Sequence, residues 1–467
     1  MHASIRFATP SRSAAALGLA LALTGCPAPA EMDAGMEELP PPADRVTDTQ
    51  RPDRLVFDDT GDAIVVPEDT GTGMDASRDG DAAPPPFDAP DDTTAMMGLD
   101  VVTPDVPLPM QTCAWVTGPT VFGVGGRGAP PVFVQTDLTG FAAGAAVLRD
   151  GADNVWVQRV SRDGAPTLVG NISGAAAGVT VRGGSFVRDG MFLLTPWSQS
   201  EGADENVYVK RVQDNFGEIM GSRQRVTTSG SNQEPQLIVL RVGHMIVWRS
   251  VESGRGRVRV APLMGSTVGA VMPITAVEED VTSFRALSSQ TADVYAVAYR
   301  DAAGGTIRVR VFDATGAARG APVDVASGAD LGSSVDAAIE EPDGDAWVTW
   351  AQPATGGTIR LRRVALAAGS TSSPAIDLGT APNSAEPGVT MDGVDVAVAF
   401  RDLGASPPTV SLVRVRADGT VRDRSQLGAA TTGGRVGIAA RDGRYGVGWS
   451  DDNASGRITR IGVASCR

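Results

Sequence analysis

The chain has 467 residues and a formal net charge of −15, a length that exceeds what one ordinary hydrophobic core organises. The acidity is concentrated in residues 27–112, which contain 20 Asp and Glu against four Arg, so the rest of the chain is nearly neutral and gives no reason to expect nucleic acid. The chain contains only two histidines, which argues against a histidine-rich metal site and against a Ser-His-Asp triad.

Residues 1–25 have the pattern of a secretory signal peptide. A weakly basic start precedes an apolar run over residues 14–23, which is too short to span a bilayer. The run ends in Leu23-Thr24-Gly25-Cys26, which resembles the lipobox of bacterial lipoproteins. The resemblance implies cleavage before Cys26, lipidation of Cys26 and a membrane anchor at the cell envelope. The expected location is the outer membrane, facing the periplasm or the cell surface. The alternative is a secreted protein with a chance cysteine.

Residues 26–112 are predicted to form a tether between the lipid and the folded domain. They are rich in Pro, Asp, Ala, Thr and Gly, with few aromatic residues and no sustained hydrophobic period. Such a segment cannot bury enough apolar surface to offset its chain entropy, so we expect disorder. As a flexible coil it has an end-to-end distance of roughly 50 Å.

An apolar or aromatic residue recurs seven times after residue 113, at a spacing of 49 to 51 residues. The seven positions are Leu148, Trp197, Trp248, Tyr299, Trp350, Phe400 and Trp449. Each ends a predicted strand, a short loop follows, and each repeat has room for four strands. Asp-Gly pairs such as Asp392-Gly393 and Asp442-Gly443 are typical of tight hairpin turns. The repeat predicts an all-β domain over residues 113–467, a seven-bladed β-propeller of four-stranded blades.

The two ends of the repeat region predict how the ring closes. The last repeat ends at Arg467 without a fourth strand, whereas an extra apolar segment over residues 114–123 precedes the first repeat. We expect that segment to be the outer strand of the last blade. Cys113 begins this strand and Cys466 falls where the missing turn would lie, so the two are predicted to form a disulfide.

The chain resembles seven-bladed propeller lipoproteins in general and carries none of the repeat motifs of the WD, kelch, sialidase or quinoprotein types. In a propeller, the connections into the innermost strands and those between the second and third strands share one face. Ring closure as predicted here places the tether on the other face. The loop-rich face is therefore expected to point away from the membrane.

The first candidate set for a ligand site follows the recurrent position by two residues. It includes Asp301, Asp402 and Asp451. All seven positions of this set are polar, which is compatible with a ring of ligand-binding side chains on the loop-rich face. The alternative is that strands entering solvent turn polar, with Asp and Ser favoured at turn starts.

The second candidate set lies fourteen residues before the recurrent position. It consists of Glu234, Arg285, Asp336, Glu386 and Arg435. These residues are expected to open the inner strands, near the mouth of a central channel. Opposed charges around a narrow mouth favour a polar or zwitterionic ligand. The alternative is a ring of ion pairs that neutralise one another and have only a structural role.

No motif predicts catalysis, so no catalytic residue, metal ligand or cofactor is assigned. The leading hypothesis is a monomeric binding or scaffolding module for a protein, glycan or small polar ligand. One alternative is a carbohydrate-active hydrolase or lyase that uses Asp and Glu near the channel mouth. Another is an outer-membrane assembly factor, although the repeat motifs of such factors are missing.

Overall fold

The computed structural model describes residues 112–467 except 126–131, 150–151, 242, 266, 290, 329–330, 333, 342–343, 353–356, 367–372, 381–385, 394, 430–434 and 454–455. The predicted signal peptide, the lipidation at Cys26 and the predicted tether up to residue 111 lie outside the described residues. Every regular element within them is a β-strand. No helix in this part of the chain is long and apolar enough to cross a membrane.

The strands follow one another along the chain in four groups. The first group is β1 (Cys113–Gly125), β2 (Phe133–Asp137), β3 (Gly140–Arg149), β4 (Ala152–Ser161) and β5 (Pro166–Asn171). The second is β6 (Val181–Gly183), β7 (Val187–Asp189), β8 (Phe192–Glu201), β9 (Asp204–Gln213), β10 (Gln224–Arg225), β11 (Ser231–Leu240), β12 (Gly243–Glu252), β13 (Arg255–Met264), β14 (Thr267–Val268) and β15 (Met272–Pro273). The third is β16 (Val281–Ser289), β17 (Val294–Asp301), β18 (Thr306–Asp313), β19 (Val323–Ser327), β20 (Val335–Glu340), β21 (Asp345–Gln352), β22 (Thr358–Val364), β23 (Ile376–Thr380), β24 (Gly388–Asp392), β25 (Asp395–Asp402), β26 (Thr409–Val415) and β27 (Val421–Ala429). The last is β28 (Gly437–Arg441), β29 (Arg444–Asn453) and β30 (Gly456–Cys466).

The third group forms three four-stranded antiparallel sheets, in the orders β16-β17-β18-β19, β20-β21-β22-β23 and β24-β25-β26-β27. Each sheet is a meander, as the sequence repeat predicts. β-Branched and aromatic residues alternate along these strands and suit a pleated surface. Tight turns join the inner strands to the second strands; between β28 and β29, Asp442 and Gly443 have φ angles of 52° and 69°, as a type I′ turn requires.

The other two sheets are larger because neighbouring meanders join. In the ten-stranded sheet, β11 pairs with β9 in parallel at Ser231 and Glu205, which links the run β6 to β10 with the run β11 to β15. In the eight-stranded sheet, β1 pairs both with β30 and with β3, so it joins the strands at the two ends of the domain.

The disulfide predicted from the sequence is confirmed. The sulfur atoms of Cys113 and Cys466 are 1.97 Å apart. β1 lies antiparallel to β30 from the Cys113–Cys466 pair to the Val124–Ile458 pair, as expected for the leading segment. The ring of Trp115 on β1 stacks on Trp449, with centroids 5.7 Å apart.

The core lies between successive sheets. Of the seven recurrent residues, all except Leu148 are at most 2 % exposed, whereas Leu148 is 37 % exposed. Burying each of the six contributes roughly 1.5–3 kcal/mol. One apolar cluster combines residues of β16–β19 with residues of β20–β22, and two further clusters likewise join β11–β13 to β16–β18 and β21–β23 to β24–β26. Each sheet is therefore stabilised mainly by the sheets beside it.

The inner strands give the domain two distinguishable ends. Val281 at the start of β16 pairs with Asp301 at the end of β17, so the inner strands begin where the second-to-third-strand connections lie. We call this the mouth end. The Cys113–Cys466 disulfide lies at the opposite end, beside the Arg441–Arg444 turn, and we call that the seam end.

Candidate ligand site at the channel mouth

Asp301, from the first candidate set, is engaged in bonds within the fold. It is 2 % exposed. Its Oδ1 accepts hydrogen bonds from the backbone N–H groups of Asp280 (2.9 Å) and Ala303 (3.1 Å), and its Oδ2 lies 3.4 Å from the guanidinium of Arg308. This carboxylate closes the loop between β17 and β18 and anchors an arginine.

Asp451 has the same arrangement in the last repeat. Its Oδ1 accepts a hydrogen bond from the indole Nε1 of Trp449 at 3.1 Å, and its Oδ2 pairs with Nε of Arg460 at 2.8 Å. Asp402 is half-buried and accepts hydrogen bonds from the N–H groups of Gly404 and Ala405, both at 3.1 Å. The first candidate set thus contributes clamps and turns to the fold, and its role in ligand binding stays a prediction.

Sequence reasoning missed the arginines that complete these clamps. Arg308, Arg360 and Arg460 lie directly opposite Tyr299, Trp350 and Trp449 in the sheet pairing. A signal was present, since each arginine comes one or two residues after the apolar residue that opens the third strand.

The second candidate set, which we call the mouth cluster (Glu234, Arg285, Asp336, Glu386 and Arg435), comes together at the mouth end. Arg435 lies just before β28 and is 7 % exposed. Its Nη2 donates to the backbone oxygen of Val335 at the start of β20 and to Oγ of Ser283 on β16, the latter at 3.4 Å. Arg435 therefore reaches from one inner strand across to two others.

Arg285 and Asp336 form an ion pair inside the cluster. Nε of Arg285 lies 3.2 Å from Oδ1 of Asp336. The second oxygen of Asp336 accepts a hydrogen bond from the N–H of Val389 at 3.1 Å, whereas the contact of Oδ1 with Arg285 is an ion pair without a hydrogen bond. The guanidinium of Arg285 also stacks over the ring of Phe133 on β2, 5.5 Å from its centroid. This side chain too crosses between inner strands.

Glu234 and Glu386 differ from the other three members. Within the described residues, neither carboxylate has a hydrogen bond or an ion pair, although each is only partly exposed. Glu234 has a φ of 53°, next to Pro235 and an irregularity in the β11–β12 register. A non-glycine residue in this region costs on the order of 1 kcal/mol, and such costs concentrate at functional sites.

The electrostatics of Glu234 reflect its surroundings. Burial is the main cause that raises the pKa of Glu234 above its ordinary value, and the nearby Glu386 raises it further. Arg249, Arg435 and Arg182 act in the opposite direction. The protonated form of Glu234 is thus favoured more than that of a solvated glutamate.

Arg182 and Arg249 are neighbours of the cluster that sequence reasoning did not single out. Arg249 donates to the amide oxygen of Gln233, whose nitrogen donates to Glu205 at 2.9 Å. Arg182 lies 3.5 Å from the same Glu205. Because Arg249 directly follows a recurrent tryptophan, its position near the mouth could have been deduced from the repeat.

The part of the chain that the structure describes contains no group of three or more His, Cys, Asp or Glu residues that could hold a metal ion. His244 opens β12 at the seam end, where burial lowers the pKa of its imidazole. The mouth cluster therefore offers carboxylate acceptors and guanidinium donors as its chemistry.

No family model and no curated protein matches the chain. Among solved structures, the chain is similar to the polysaccharide lyase Uly1, with 10 % identity over 77 % of this chain and 100 % of that one and a TM-score of 0.47. It is similar to a subtype N10 neuraminidase-like protein of A/little yellow-shouldered bat/Guatemala/060/2010, with 14 % identity, coverages of 76 % and 100 %, and a TM-score of 0.42. A Trypanosoma rangeli sialidase in complex with the inhibitor DANA has 10 % identity, coverages of 60 % and 54 %, and a TM-score of 0.38. Likenesses at this level carry no conclusion about activity or ligand.

Proposed function

We propose that this protein is a lipid-anchored, seven-bladed β-propeller of the cell envelope that binds a polar ligand, without chemistry, at its channel mouth. One observation carries the proposal. Glu234 and Glu386 have carboxylates without a protein partner among the described residues, at a place where arginines from several inner strands converge. Free carboxylates accept hydrogen bonds, so a matching ligand brings hydroxyl or ammonium donors, as a glycan does.

The contacts between inner strands support seven blades in a ring. Dividing the ten-stranded and eight-stranded sheets at their joins, together with the three four-stranded sheets, gives seven meanders whose inner strands are β2, β6 with β7, β11, β16, β20, β24 and β28. From β6 onward, each of these inner strands contacts the next, β6 contacts β3 of the first meander, and β28 contacts β2. The last meander takes β1 as its outer strand.

The lipid anchor is supported by the lipobox-like Leu23-Thr24-Gly25-Cys26. The described chain begins at the seam end, where the backbone of Thr112 pairs with that of Arg467, and this end lies opposite the mouth cluster. Cys26→Ser is expected to move the protein from the membrane fraction to the soluble fraction of fractionated cells. Unchanged membrane retention of this variant would refute the anchor. Protease shaving of intact cells distinguishes a surface-facing from a periplasmic domain.

A glycan array followed by titration calorimetry tests the ligand proposal. Glu234→Gln and Glu386→Gln are each expected to weaken the binding of an array hit at least tenfold, since each removes a charged acceptor. Glu252→Gln is the matched control, because Glu252 also lies at the mouth end but is paired with Arg259 at 2.6 Å. An empty array, or hits that bind both cluster variants as tightly as the wild type, would contradict the proposal.

The raised pKa of Glu234 favours one second candidate, a glycoside hydrolase. Glycosidases pair a carboxylic acid of raised pKa with a second carboxylate, and Glu234 and Glu386 are two carboxylates of the mouth cluster without a partner among the described residues. Asp336, which is occupied by Arg285 and Val389, is less suited. Turnover of chromogenic glycosides that is lost in both Glu234→Gln and Glu386→Gln would favour this candidate over binding alone.

A further inference from the structure

A cavity of about 380 Å³ lies on the seam side of the mouth cluster and is open to solvent. Its wall consists of residues from the middle of four inner strands, β2, β20, β24 and β28, and from the second half of a fifth, β16. Apart from Arg285, the half-exposed or exposed side chains of this wall are uncharged, and they include Gln135, Ser288, Ala338, Thr390 and Met391. Hydroxyl, amide and apolar groups thus line the same space.

Arg285 is the one charged residue in this wall. It comes first among the β16 residues that line the cavity, so it lies toward the mouth end. Nε of Arg285 pairs with Asp336, but its two Nη atoms have no hydrogen-bond partner among the described residues. Since a guanidinium stays protonated in proteins, the inner end of the cavity presents unused, charged donors.

The charge balance around Arg285 favours an additional anion. Among the described residues its one ion-pair partner is Asp336, which also accepts a hydrogen bond from the N–H of Val389. Burial and the neighbouring Arg435 both lower the pKa of Arg285, and Asp336 opposes them. A partly desolvated cation near a second cation gains more from a new carboxylate than an exposed arginine does.

We propose that this cavity binds a small hydroxylated carboxylic acid whose carboxylate docks on the Nη atoms of Arg285. The fork of a guanidinium matches the two oxygens of a carboxylate. The cavity volume falls in the range of small-molecule sites. Gln135, Ser288 and Thr390 supply partners for the ligand hydroxyls, and the absence of an acidic side chain from the described wall avoids repulsion. Arg285 also belongs to the mouth cluster, but the rest of the wall lies closer to the seam end than Glu234 and Glu386, so this site differs from the carboxylate site proposed at the mouth.

Titration calorimetry of the full chain with glucuronate, gluconate and uncharged glucose tests the proposal. Wild type is expected to bind the two acids and to bind glucose at least tenfold more weakly. Ala338→Trp fills the cavity without removing a charge and is expected to weaken acid binding at least tenfold. Arg285→Gln is expected to have an equal or larger effect, and Arg285→Lys, which keeps the charge but loses the fork, an intermediate one.

Arg162→Gln is the matched control, since Arg162 is an exposed arginine at the seam end that pairs with Asp442. Its acid binding is expected to be unchanged, as is that of Glu234→Gln, which separates this site from the mouth site. Near-ultraviolet circular dichroism verifies that each variant is folded; if Ala338→Trp does not fold, Ala440→Trp replaces it. Acid binding that is undetectable in the wild type at millimolar concentration, or equal in wild type and a folded cavity-filling variant, would overturn the proposal.

Discussion

Two sets of charged residues lie at the mouth end of the domain, and they behave differently. Asp301 and Asp451, after the recurrent aromatic position, use both carboxylate oxygens in bonds to backbone N–H groups, an indole or an arginine. Glu234 and Glu386, at the start of inner strands, have no partner among the described residues. Although arginines lie nearby, none of the described ones forms an ion pair with either carboxylate.

The difference follows from position in the sheets. A residue two places after the recurrent position lies beside its own third strand, so a partner is supplied by the same repeat. Arg308 faces Tyr299 and Arg460 faces Trp449. An inner-strand start instead faces other sheets across the axis, where partners come from non-equivalent repeats. Asp301 and Asp451 are therefore paired within their own repeats, whereas Glu234 and Glu386 at the inner-strand starts depend on other repeats for a partner.

The largest expected effect is a loss of stability that leaves ligand binding unchanged. Replacing the disulfide by Cys113→Ser with Cys466→Ser is expected to lower the free energy of unfolding by about 2–5 kcal/mol, because the unfolded chain gains conformational freedom. Denaturant unfolding measures the loss, and ligand affinity at the mouth should not change. Wild type reduced under native conditions is the control and should lose as much. An unchanged unfolding midpoint would show that the β1–β30 pairing holds the seam unaided.

Asp451 is expected to contribute to stability, as the Cys113–Cys466 disulfide does, and not to ligand binding. Asp451→Ala leaves Nε1 of Trp449 and the guanidinium of Arg460 without their acceptors, which costs about 2–3 kcal/mol. Asp451→Asn is the control, since it keeps an acceptor for the indole and should cost less. Thermal unfolding measures both. A loss of ligand affinity in folded Asp451→Ala would contradict a purely structural role and assign Asp451 to the ligand site.

The smallest expected effect is a dependence of stability on pH that reports on Glu234, which has no partner among the described residues. The folded-state pKa of Glu234 is raised, so the unfolded chain releases this proton first as pH rises. The folded state then becomes less stable until the pH exceeds the raised pKa. Relative to Glu234→Gln, the wild type should therefore lose stability as pH rises above the usual glutamate pKa of about 4.3.

Glu218 provides a control of opposite sign. Lys210 lowers the pKa of Glu218 at a surface ion pair of 2.7 Å. Its contribution is therefore present above the usual glutamate pKa and lost as pH falls through the lowered value. Relative to Glu218→Gln, the wild type should gain stability as pH rises. Denaturant unfolding from pH 3 to 8 measures both trends, and parallel trends for the two variants would contradict the assignment of Glu234.

Much of the architecture could be predicted because it depends on residues that are close together in the sequence. The repeat spacing gives the meanders, and Asp-Gly pairs such as Asp442-Gly443 give hairpin turns within them. The missing last strand and the two cysteines gave the seam, since a four-stranded repeat that ends one strand short needs a strand from elsewhere. The merging of neighbouring meanders through Ser231 and Glu205 left no such mark, because one parallel bridge depends on the distance between sheets.

The candidate site was only partly predictable for the same reason. Its members share a position in the repeat, so Glu234, Arg285, Asp336, Glu386 and Arg435 could be named from the sequence. The sequence could not predict which of these residues contact which partners, because Arg435 bonds to residues 100 and 152 positions away in the chain. The contributions of Arg182 and Arg249, and the cavity beyond Arg285, also depend on strands that meet only in the folded domain.

The sequence by itself determined the strands of the repeat, the seam and the residues at the starts of the inner strands, because each depends on periodicity or on neighbours within one repeat. Only the tertiary structure decided which charges are satisfied and which are left over. Ion pairs form only between groups that lie a few ångströms apart. Where several sheets meet, residues at that distance are often far apart in the chain.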